Sequence, residues 1–467
     1  MADLHFDRKM SDAEGLMWRL EKDPHLSSTF ANVTVLDKSP NFDAFLRRME
    51  RATYAVPRLR QRVQTAPANL TAPTWVDDSN FDLRYHVRHV ALPKPGTMRQ
   101  LLDLASLIAC DSFDRTRPLW QFVIVDGLRG GKSALIQKMH HTIVDGEGGV
   151  RLSLQFLDFE RDVDELAPLD PELIAAAEEA AADDVPSPDF LRELLNGGLR
   201  VPIGLLKQIK DLMMDPTGIP DAGSAAADTV RGVMQQLGDT EGAHSPLWTK
   251  RSLHRRMEVL RAPFGDTRAA SKRLGGTLNT AFLTCAAEAA GRYHRDMGSP
   301  VELLRSSMAI STRTETSGAN AFSLARMLVP TGDMPIGERF AAIQAAAGAA
   351  KEASATASLD TLAAVAAALP TSMITRLARQ QAQTIDFATS NVRGAPTPLY
   401  VAGAQLLENY PVGPLGGVAF NLTLLSYNHS LDMGVNIDTA AVTEPQLLHD
   451  CLVRAFKDLL AAERQRA

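Results

Sequence analysis

The sequence predicts an α+β protein of two domains, and three observations support that prediction. At 467 residues the chain exceeds what one ordinary hydrophobic core supports. In both halves, segments with the apolar spacing of amphipathic helices alternate with short β-rich runs. Between the halves lies a long stretch that is rich in alanine and broken by glycine and proline. We therefore expect a first domain over residues 1–165, a partly helical linker over 166–244 and a second domain over 245–467.

In the first half, apolar periodicity and turn residues predict helices and strands in mixed order. The helices are expected over residues 10–23, 41–55 and 97–113, and the strands over 29–36, 81–90, 121–125 and 133–139. The turn Arg129-Gly-Gly-Lys132 between the last two strands favours a β-hairpin. His86 and His89 do not share a face of their strand, and we interpret both as structural or surface residues.

The second half shows the same alternation and ends in a helix. Helices are expected over residues 280–295, 336–384 (interrupted at Pro370) and 444–463, and strands over 301–311, 321–329, 387–392, 417–427 and 431–438. The last two strands flank Asn428-His-Ser430 and are expected to pair as a hairpin. Each half is thus predicted to form helices around a sheet.

Two charged segments allow two interpretations each. Residues 190–214 mix leucines with lysines and arginines, which is typical of a linker helix packed on the domains or of an interfacial helix that faces lipid. The basic residues between Lys250 and Arg261 form either a solvated face or a seat for the phosphates of a ligand.

Composition and charge argue against several classes of protein. The net charge of −6 argues against a nucleic-acid partner, which would need a broad basic face. The three cysteines are far apart in apolar surroundings, so we expect them to be buried and to form neither disulfides nor a metal site. The N-terminus lacks the apolar core of a signal peptide, and no apolar run reaches the ~18 residues of a membrane span. We expect a cytoplasmic protein.

The most informative motif is His140-His141-Thr-Ile-Val-Asp145-Gly146. A predicted strand precedes it and a helical pattern follows it, so both histidines are expected on a strand-to-helix turn, with Asp145 placed as the helix N-cap. A neutral imidazole can accept a proton near pH 7, and a nearby carboxylate can hold the loop and the tautomer. The motif therefore predicts general-base chemistry. The alternative is a buried histidine pair followed by an Asp-Gly turn.

Further short elements accompany the histidine motif. They are Pro57-Arg-Leu-Arg-Gln-Arg62, Asp114-Arg-Thr-Arg-Pro118-Leu119-Trp120, Gly275-Gly-Thr-Leu-Asn279, Ser390-Asn391-Val392 with Gly394, and Leu425-Ser426-Tyr427. Together these elements resemble the wax ester synthase/acyl-CoA:diacylglycerol acyltransferase family. That family belongs to the HHxxxDG acyltransferases, which also include peptide-synthetase condensation domains and chloramphenicol acetyltransferase. The resemblance covers nearly the whole chain.

The resemblance implies two chloramphenicol-acetyltransferase-like domains joined by a crossover linker, with the reaction in a tunnel between them. It implies transfer of a long-chain acyl group from acyl-CoA to a fatty alcohol, giving a wax ester, or to diacylglycerol, giving a triacylglycerol. Acyl-CoA is then a substrate, and no cofactor or metal is implied. A water-insoluble acceptor must be collected from a surface, so peripheral association with a membrane or lipid droplet is also expected.

The family pattern assigns roles to the motif residues. His141 would be the base that deprotonates the acceptor hydroxyl, and His140 would support the loop and orient its neighbour. Asp145 would hold the loop without entering the reaction, and Gly146 would permit a tight turn and the close approach of substrate. Direct transfer needs no covalent acyl-enzyme.

Candidates for the remaining roles lie elsewhere in the sequence. The tetrahedral intermediate needs hydrogen-bond donors, which a backbone amide near the histidines or Asn279 could supply. Alternatively, Asn279 serves only as a helix cap. Pro118, Leu119 and Trp120, which match the PLW element of the family, are candidates for lining the substrate tunnel.

Three positions depart from the family pattern. The chain has Asn279-Thr280 where the family usually has Asn-Asp, Glu14 where an aspartate is common, and Arg393 within what is usually Asn-Val-Pro-Gly. The first departure leaves two alternative functions open. One is acyl transfer to another hydroxyl or to an amine, as in polyketide or condensation chemistry. The other is a weakly catalytic protein that binds lipid or acyl-CoA.

Overall fold

The computed structural model describes residues 7–65, 72–144, 146–162, 171, 174–175, 245–311, 322–354 and 371–462. Most of the predicted linker, the whole of the 190–214 segment and Asp145 lie outside the described residues. Labels below number the described elements in chain order.

The described elements mix helices and strands in both halves, as predicted. The helices are α1 (Asp12–Leu20), α2 (Phe42–Ala55), α3 (Leu83–His86), α4 (Met98–Cys110), α5 (Gly146–Ser153), α6 (Phe264–Arg273), α7 (Leu278–Asp296), α8 (Ile336–Ser354), α9 (Thr371–Ala382) and α10 (Pro445–Ala461). The strands are β1 (Thr29–Leu36), β2 (Gln61–Gln64), β3 (Thr74–Asp77), β4 (Val87–Ala91), β5 (Trp120–Leu128), β6 (Lys132–His140), β7 (Arg255–Pro263), β8 (Leu303–Ser311), β9 (Phe322–Pro330), β10 (Phe387–Arg393), β11 (Tyr400–Val401), β12 (Ala404–Val412), β13 (Phe420–Tyr427) and β14 (Ser430–Asp438).

Two six-stranded sheets organise the molecule. The first has the order β11-β12-β1-β6-β5-β4, and the second has the order β7-β14-β13-β10-β8-β9. The predicted hairpins β5–β6 and β13–β14 are both present and antiparallel. We call the first sheet with α1–α5 the N-terminal lobe, and the second sheet with α6–α10 the C-terminal lobe.

Helix starts in the N-terminal lobe follow from local hydrogen bonding. In α1, the Ser11 hydroxyl accepts from the Glu14 amide at 3.1 Å, and the Glu14 carboxylate accepts from the Ser11 amide at 3.0 Å. This capping box needs a glutamate or glutamine at its third helical position. The unusual Glu14 is thus accounted for by its capping role. Thr97 and Gln100 form the same arrangement at the start of α4.

A strand exchange joins the two lobes. β12 comes from the second half of the chain, yet it pairs antiparallel with β1 in the first sheet. Asn409 of β12 receives hydrogen bonds from Asn32 and Thr34 of β1 and donates its amide to the buried Asp432 of β14 at 2.7 Å. Position along the chain therefore does not separate the two sheets. The boundaries at 165 and 245 stay a prediction.

Gly434 of β14 lies directly against the backbone of β12. A Cβ added at this position would lie 2.1 Å from the carbonyl oxygen of Pro411 in β12, a contact that only a backbone shift can relieve. We expect Gly434→Ala to lower the free energy of unfolding by about 3 kcal/mol, measured by urea titration. Gly348→Ala is the control: an added Cβ meets nothing within 4 Å in α8, so a gain of about 0.5–1 kcal/mol is expected there. Equal stability of Gly434→Ala and the unmodified protein would contradict the close approach.

The structure corrects several expectations. His86 lies not on a strand but in the one-turn helix α3, which Asp82 caps with a hydrogen bond to the Arg84 amide. The helix after the histidine motif begins at Gly146, four residues earlier than the apolar pattern indicates, because its first turn is built from glycines and Glu147. Cys110, expected to be buried, is exposed at the end of α4.

Candidate active site

Both histidines of the motif are fixed through their backbones at the end of β6. The His140 amide donates to the Leu119 carbonyl at 3.0 Å, and the His141 amide donates to the Ser28 carbonyl at 3.1 Å. Leu119 immediately precedes β5 and Ser28 immediately precedes β1. The strands on both sides of β6 therefore set the position of the histidine pair. The predicted place at the end of a strand is confirmed.

His140 is a supporting residue whose ring is 1% exposed. Its Nδ1 accepts from the Thr142 amide at 3.2 Å and lies 2.8 Å from the Thr142 hydroxyl. Because a backbone N–H can only donate, the neutral ring carries its proton on Nε2, which lies 3.0 Å from the Glu21 carboxylate. Both ring nitrogens are therefore engaged in holding the turn.

Glu21 is the main site residue that the sequence interpretation did not identify. Its carboxylate accepts from the Ser27 hydroxyl at 2.6 Å, the Ser28 amide at 2.8 Å and His140 at 3.0 Å. Although burial acts to raise it, the pKa of Glu21 falls to about 2, because the hydrogen bonds and the charge interaction with His140 favour the ionised form. Glu21 is also the C-cap of α1, where the helix dipole disfavours a carboxylate. A glutamate near the end of a helix was the sequence feature that could have indicated a specific role for Glu21.

His141 is half-buried, and its ring lies against an apolar wall. The ring centroids of His141 and Phe30 are 4.9 Å apart, with the planes tilted by 53°. Gly149 of α5 lies next to this wall: a Cβ added at Gly149 would be 3.8 Å from the Phe30 ring and 3.8 Å from the Val144 side chain. Since α5 packs on β10, the His141 side chain lies where the N-terminal lobe meets the C-terminal lobe. It is not enclosed in solid packing.

The remaining motif residues are only partly described. Asp145 lies outside the described residues, so its loop-holding role stays a prediction. Gly146 is the first residue of α5, and its role in substrate approach also stays a prediction.

The PLW element lies beside the histidine pair, with Trp120 paired to Met139 of β6. Leu119 and Trp120 are each 1% exposed, and Pro118 is also buried. The Trp120 indole donates to the Leu59 carbonyl at 2.9 Å and stacks on His86 with ring centroids 4.7 Å apart. These contacts fix the element next to the end of β6, and a tunnel-lining role for it stays a prediction.

His86 is a core residue, in agreement with its structural interpretation. Its Nδ1 lies 2.8 Å from the Trp120 carbonyl, and burial lowers the pKa of its imidazole to about 4. His89 lies 2.7 Å from Asp126 at the surface. Among the described residues, neither His86 nor His89 contacts the histidine motif.

Lys138 adds a buried positive charge near the histidine pair. It lies two residues before His140 on the same face of β6, donates to the Asp111 carbonyl at 2.5 Å and sits 4.2 Å from the ring centre of Phe113. Burial lowers the pKa of its ammonium group to about 8. Sequence reasoning did not identify this residue, since the neighbouring residues of β6 give no sign of its partners.

Asn279 lies at the start of α7, but it is not the helix cap. Thr277 is the N-cap, and its hydroxyl accepts from the Thr280 amide at 3.2 Å. The Asn279 side chain donates to the Met308 sulfur at 3.5 Å and accepts from Asn391 at 3.2 Å. Thr280, in place of the family aspartate, is buried and pairs with the Thr277 hydroxyl at 3.0 Å.

Three arginines between Lys250 and Arg261 pair with carboxylates, whereas Arg251 donates to main-chain carbonyls such as that of Gly417. Arg255 lies 3.3 Å from Asp438, Arg256 lies 2.6 Å from Glu258, and Arg261 lies 2.8 Å from Asp432. Lys250, His254 and Arg261 are exposed, which fits a solvated face for part of the segment, and the phosphate seat stays a prediction.

Residues 10–282 match the wax ester synthase/diacylglycerol acyltransferase catalytic domain, and residues 318–460 match the C-terminal domain of the same family. The chain therefore belongs to the wax ester synthase/diacylglycerol acyltransferase family, and it is an acyl-CoA-dependent O-acyltransferase.

Individual relatives agree with this assignment. A putative diacylglycerol O-acyltransferase of Mycobacterium tuberculosis is 31% identical over 99% of this chain and 94% of its own length. The wax ester synthase/diacylglycerol acyltransferase of Marinobacter aquaeolei VT8 has a similar fold, with a TM-score of 0.65, 23% identity and coverage of 97% and 98% of the two chains. The first condensation domain of the calcium-dependent antibiotic synthetase aligns with a TM-score of 0.58 at 12% identity, covering 99% of each chain. The predicted family and fold class are confirmed.

Proposed function

We propose that the protein transfers a long-chain acyl group from acyl-CoA directly to the hydroxyl of a fatty alcohol or of diacylglycerol, with His141 as the general base. One observation carries the proposal: the half-buried His141 ring stands at the lobe junction, on a backbone that both neighbouring segments fix. The names of the relatives support the choice of acceptors.

The chemistry follows from the weakness of the nucleophile. An alcohol is hardly ionised at neutral pH, so His141 would accept its proton while the oxygen attacks the thioester carbonyl. A carbon–oxygen bond forms, and the tetrahedral intermediate collapses by breaking the carbon–sulfur bond. The proton on His141 then passes to the departing thiolate of CoA. Atoms and charge balance without a cofactor.

The developing oxyanion needs donors that are already in place. Among the described residues, the side-chain amide of Asn279 donates to a thioether sulfur, a weak acceptor that a stronger one could replace. The contacts of Asn279 lie within the C-terminal lobe, whereas the histidines lie in the N-terminal lobe. A backbone amide beside the histidines is therefore the alternative donor. His140 would act through position, because both of its ring nitrogens hold the turn.

A product assay tests the proposal. Purified enzyme would receive labelled palmitoyl-CoA with hexadecanol, diacylglycerol, a short alcohol or a long-chain amine. We expect labelled ester with at least one of the two lipid alcohols. Amide as the main product would favour the condensation-like alternative, and release of CoA that does not depend on any acceptor would contradict acyl transfer.

We also propose that the protein binds peripherally to a membrane or lipid droplet to collect its acceptor. No described helix combines the length and apolar character that crossing a bilayer requires. Residues 190–214, with leucines among basic side chains, are the candidate contact. A variant lacking these residues should bind phosphatidylglycerol liposomes more weakly in flotation assays. Unchanged flotation with an unchanged melting temperature would exclude this segment as the contact.

A further inference from the structure

One face of the interior strand β1 stays partly open at the lobe junction. β1 lies inside the first sheet, with β12 along one edge and β6 along the other. On the face that carries Phe30, the side chains of Phe30 and Asn32 are half-buried, whereas those of Thr34 and Leu36 are buried. Because the Phe30 ring contacts His141, an accessible space extends from that imidazole as far as Asn32. We call this space the β1 channel.

Two carboxamide side chains lie side by side where the β1 channel ends. Asn32 of β1 pairs across the strands with Gln137 of β6. Since residues alternate across a strand, both side chains lie on the face that carries Phe30 and His141. Phe122 of β5 is the neighbour of Gln137 on its other side. We call Asn32 and Gln137 the polar pair.

The Asn32 side chain presents a hydrogen-bond acceptor to the β1 channel. Its amide nitrogen donates to the Thr34 hydroxyl at 3.0 Å and to the side-chain oxygen of Asn409 at 2.6 Å. Asn409 is held in turn by the hydrogen bond from its backbone amide to Asp432. The orientation of the Asn32 amide is therefore fixed. Its oxygen points away from these partners and, among the described residues, receives no hydrogen bond.

Gln137 adds a buried amide to this acceptor. Its side chain is 8% exposed and forms no hydrogen bond within the part of the chain that the structure describes. A buried carboxamide without partners carries a free-energy penalty that a polar ligand group would remove. A hydroxyl group both donates and accepts, so one hydroxyl can donate to the Asn32 oxygen and accept from the Gln137 nitrogen. An unsubstituted alkyl chain would leave both amides unsatisfied.

We propose that the β1 channel holds a long substrate chain that carries a hydroxyl group, and that the polar pair selects this hydroxyl. Four residues of extended chain separate Gln137 from His141, a distance of roughly 13 Å. A fully extended chain covers that distance in about eleven bonds, which places the hydroxyl near about the twelfth carbon, counted from the reacting carbon. The inference rests on the proposed function and names the substrate class of that site. Either the acyl donor or the alcohol acceptor could bear the hydroxylated chain.

The test compares two pairs of substrates. 12-Hydroxystearoyl-CoA and stearoyl-CoA are each supplied with hexadecanol, and 1,12-octadecanediol and octadecanol are each supplied with palmitoyl-CoA. In one of the two pairs we expect kcat/KM to be about 5- to 100-fold higher for the hydroxylated member, because it gains two hydrogen bonds. The pair that shows this preference identifies the substrate whose chain occupies the β1 channel. 3-Hydroxystearoyl-CoA, whose hydroxyl lies too close to the thioester, should react like stearoyl-CoA.

A variant of Gln137 separates recognition from a general defect. Gln137→Leu keeps a side chain of similar size but removes the amide. We expect it to lower kcat/KM for the hydroxylated chain and to raise kcat/KM for the plain chain, whereas a folding defect would lower both. Gln121→Leu is the matched control, because Gln121 pairs with Lys138 on the opposite face of the same sheet. Its preference for the hydroxylated chain should stay within about twofold of that of the unmodified protein.

Two results would overturn the role of the polar pair. One is equal kcat/KM within both pairs of substrates, and the other is a preference for the hydroxylated chain that survives Gln137→Leu. If none of the substrates gave an ester, the proposed function would fail. The Kd values of the same acyl-CoAs and alcohols, measured by calorimetry on the unmodified protein and on Gln137→Leu, would then still decide whether the polar pair selects a hydroxyl.

Discussion

Replacing His141 with alanine should abolish measurable ester formation, with a loss in kcat of at least about 10²- to 10⁴-fold. The reason is that the acceptor hydroxyl would then have to attack without a base to take its proton. The measurement is ester formation from labelled palmitoyl-CoA and hexadecanol under saturating conditions. Palmitoyl-CoA affinity and the melting temperature should be unchanged, because the half-buried ring contributes little to the core.

His254→Ala is the matched control for this variant. His254 is exposed in the C-terminal lobe, so its removal should leave kcat unchanged. Substantial turnover by His141→Ala at normal donor affinity would remove His141 as the base.

Replacing Glu21 with alanine should lower the free energy of unfolding by about 2–4 kcal/mol. The substitution leaves the partly buried Ser28 amide and the buried His140 ring without their acceptor. Glu21→Gln should cost less, because an amide oxygen can still accept both of these hydrogen bonds while its NH₂ group donates to the Ser27 hydroxyl. Urea titration measures both, and Glu50→Ala, at an exposed position of α2, should lie within about 0.5 kcal/mol of the unmodified protein.

The same carboxylate gives a dependence of stability on pH. Its pKa is lowered from 4.5 to about 2 in the folded protein, so its contribution is fully present above pH 4.5 and is lost as pH falls toward 2. A shift of this size corresponds to about 3 kcal/mol. The difference in stability between the unmodified protein and Glu21→Gln should therefore shrink between pH 5 and pH 3. A difference that stays constant across this range would exclude the ionised Glu21 carboxylate as its source.

The sequence predicts the motif well because its determinants are local. A short β-rich run, two histidines and a glycine-rich turn lie within a few residues of each other, so the histidine pair is placed correctly at the end of β6. The hairpins β5–β6 and β13–β14 are also local, since turn residues set their pairing.

The residues that support the site could not be predicted in this way. Glu21 meets His140 across 119 residues of chain, and nothing near Glu21 indicates that partner. β11 and β12 were not predicted either, because their pairing depends on β1, and Pro411 and Asn409 are poor strand formers. Asn279 was identified through the family pattern, whereas its bridge between Met308 and Asn391 depends on how two strands diverge.

The insertion of β12 beside β1 constrains how the chain can be made. Until about 400 residues have left the ribosome, β1 is an open edge with unpaired amide and carbonyl groups, which is a template for aggregation. A nascent first half is thus expected to depend on chaperones, and to precipitate when it is expressed alone. Co-expression of the two halves as separate polypeptides should rescue solubility by fragment complementation, since the later half carries the strand that completes the earlier one.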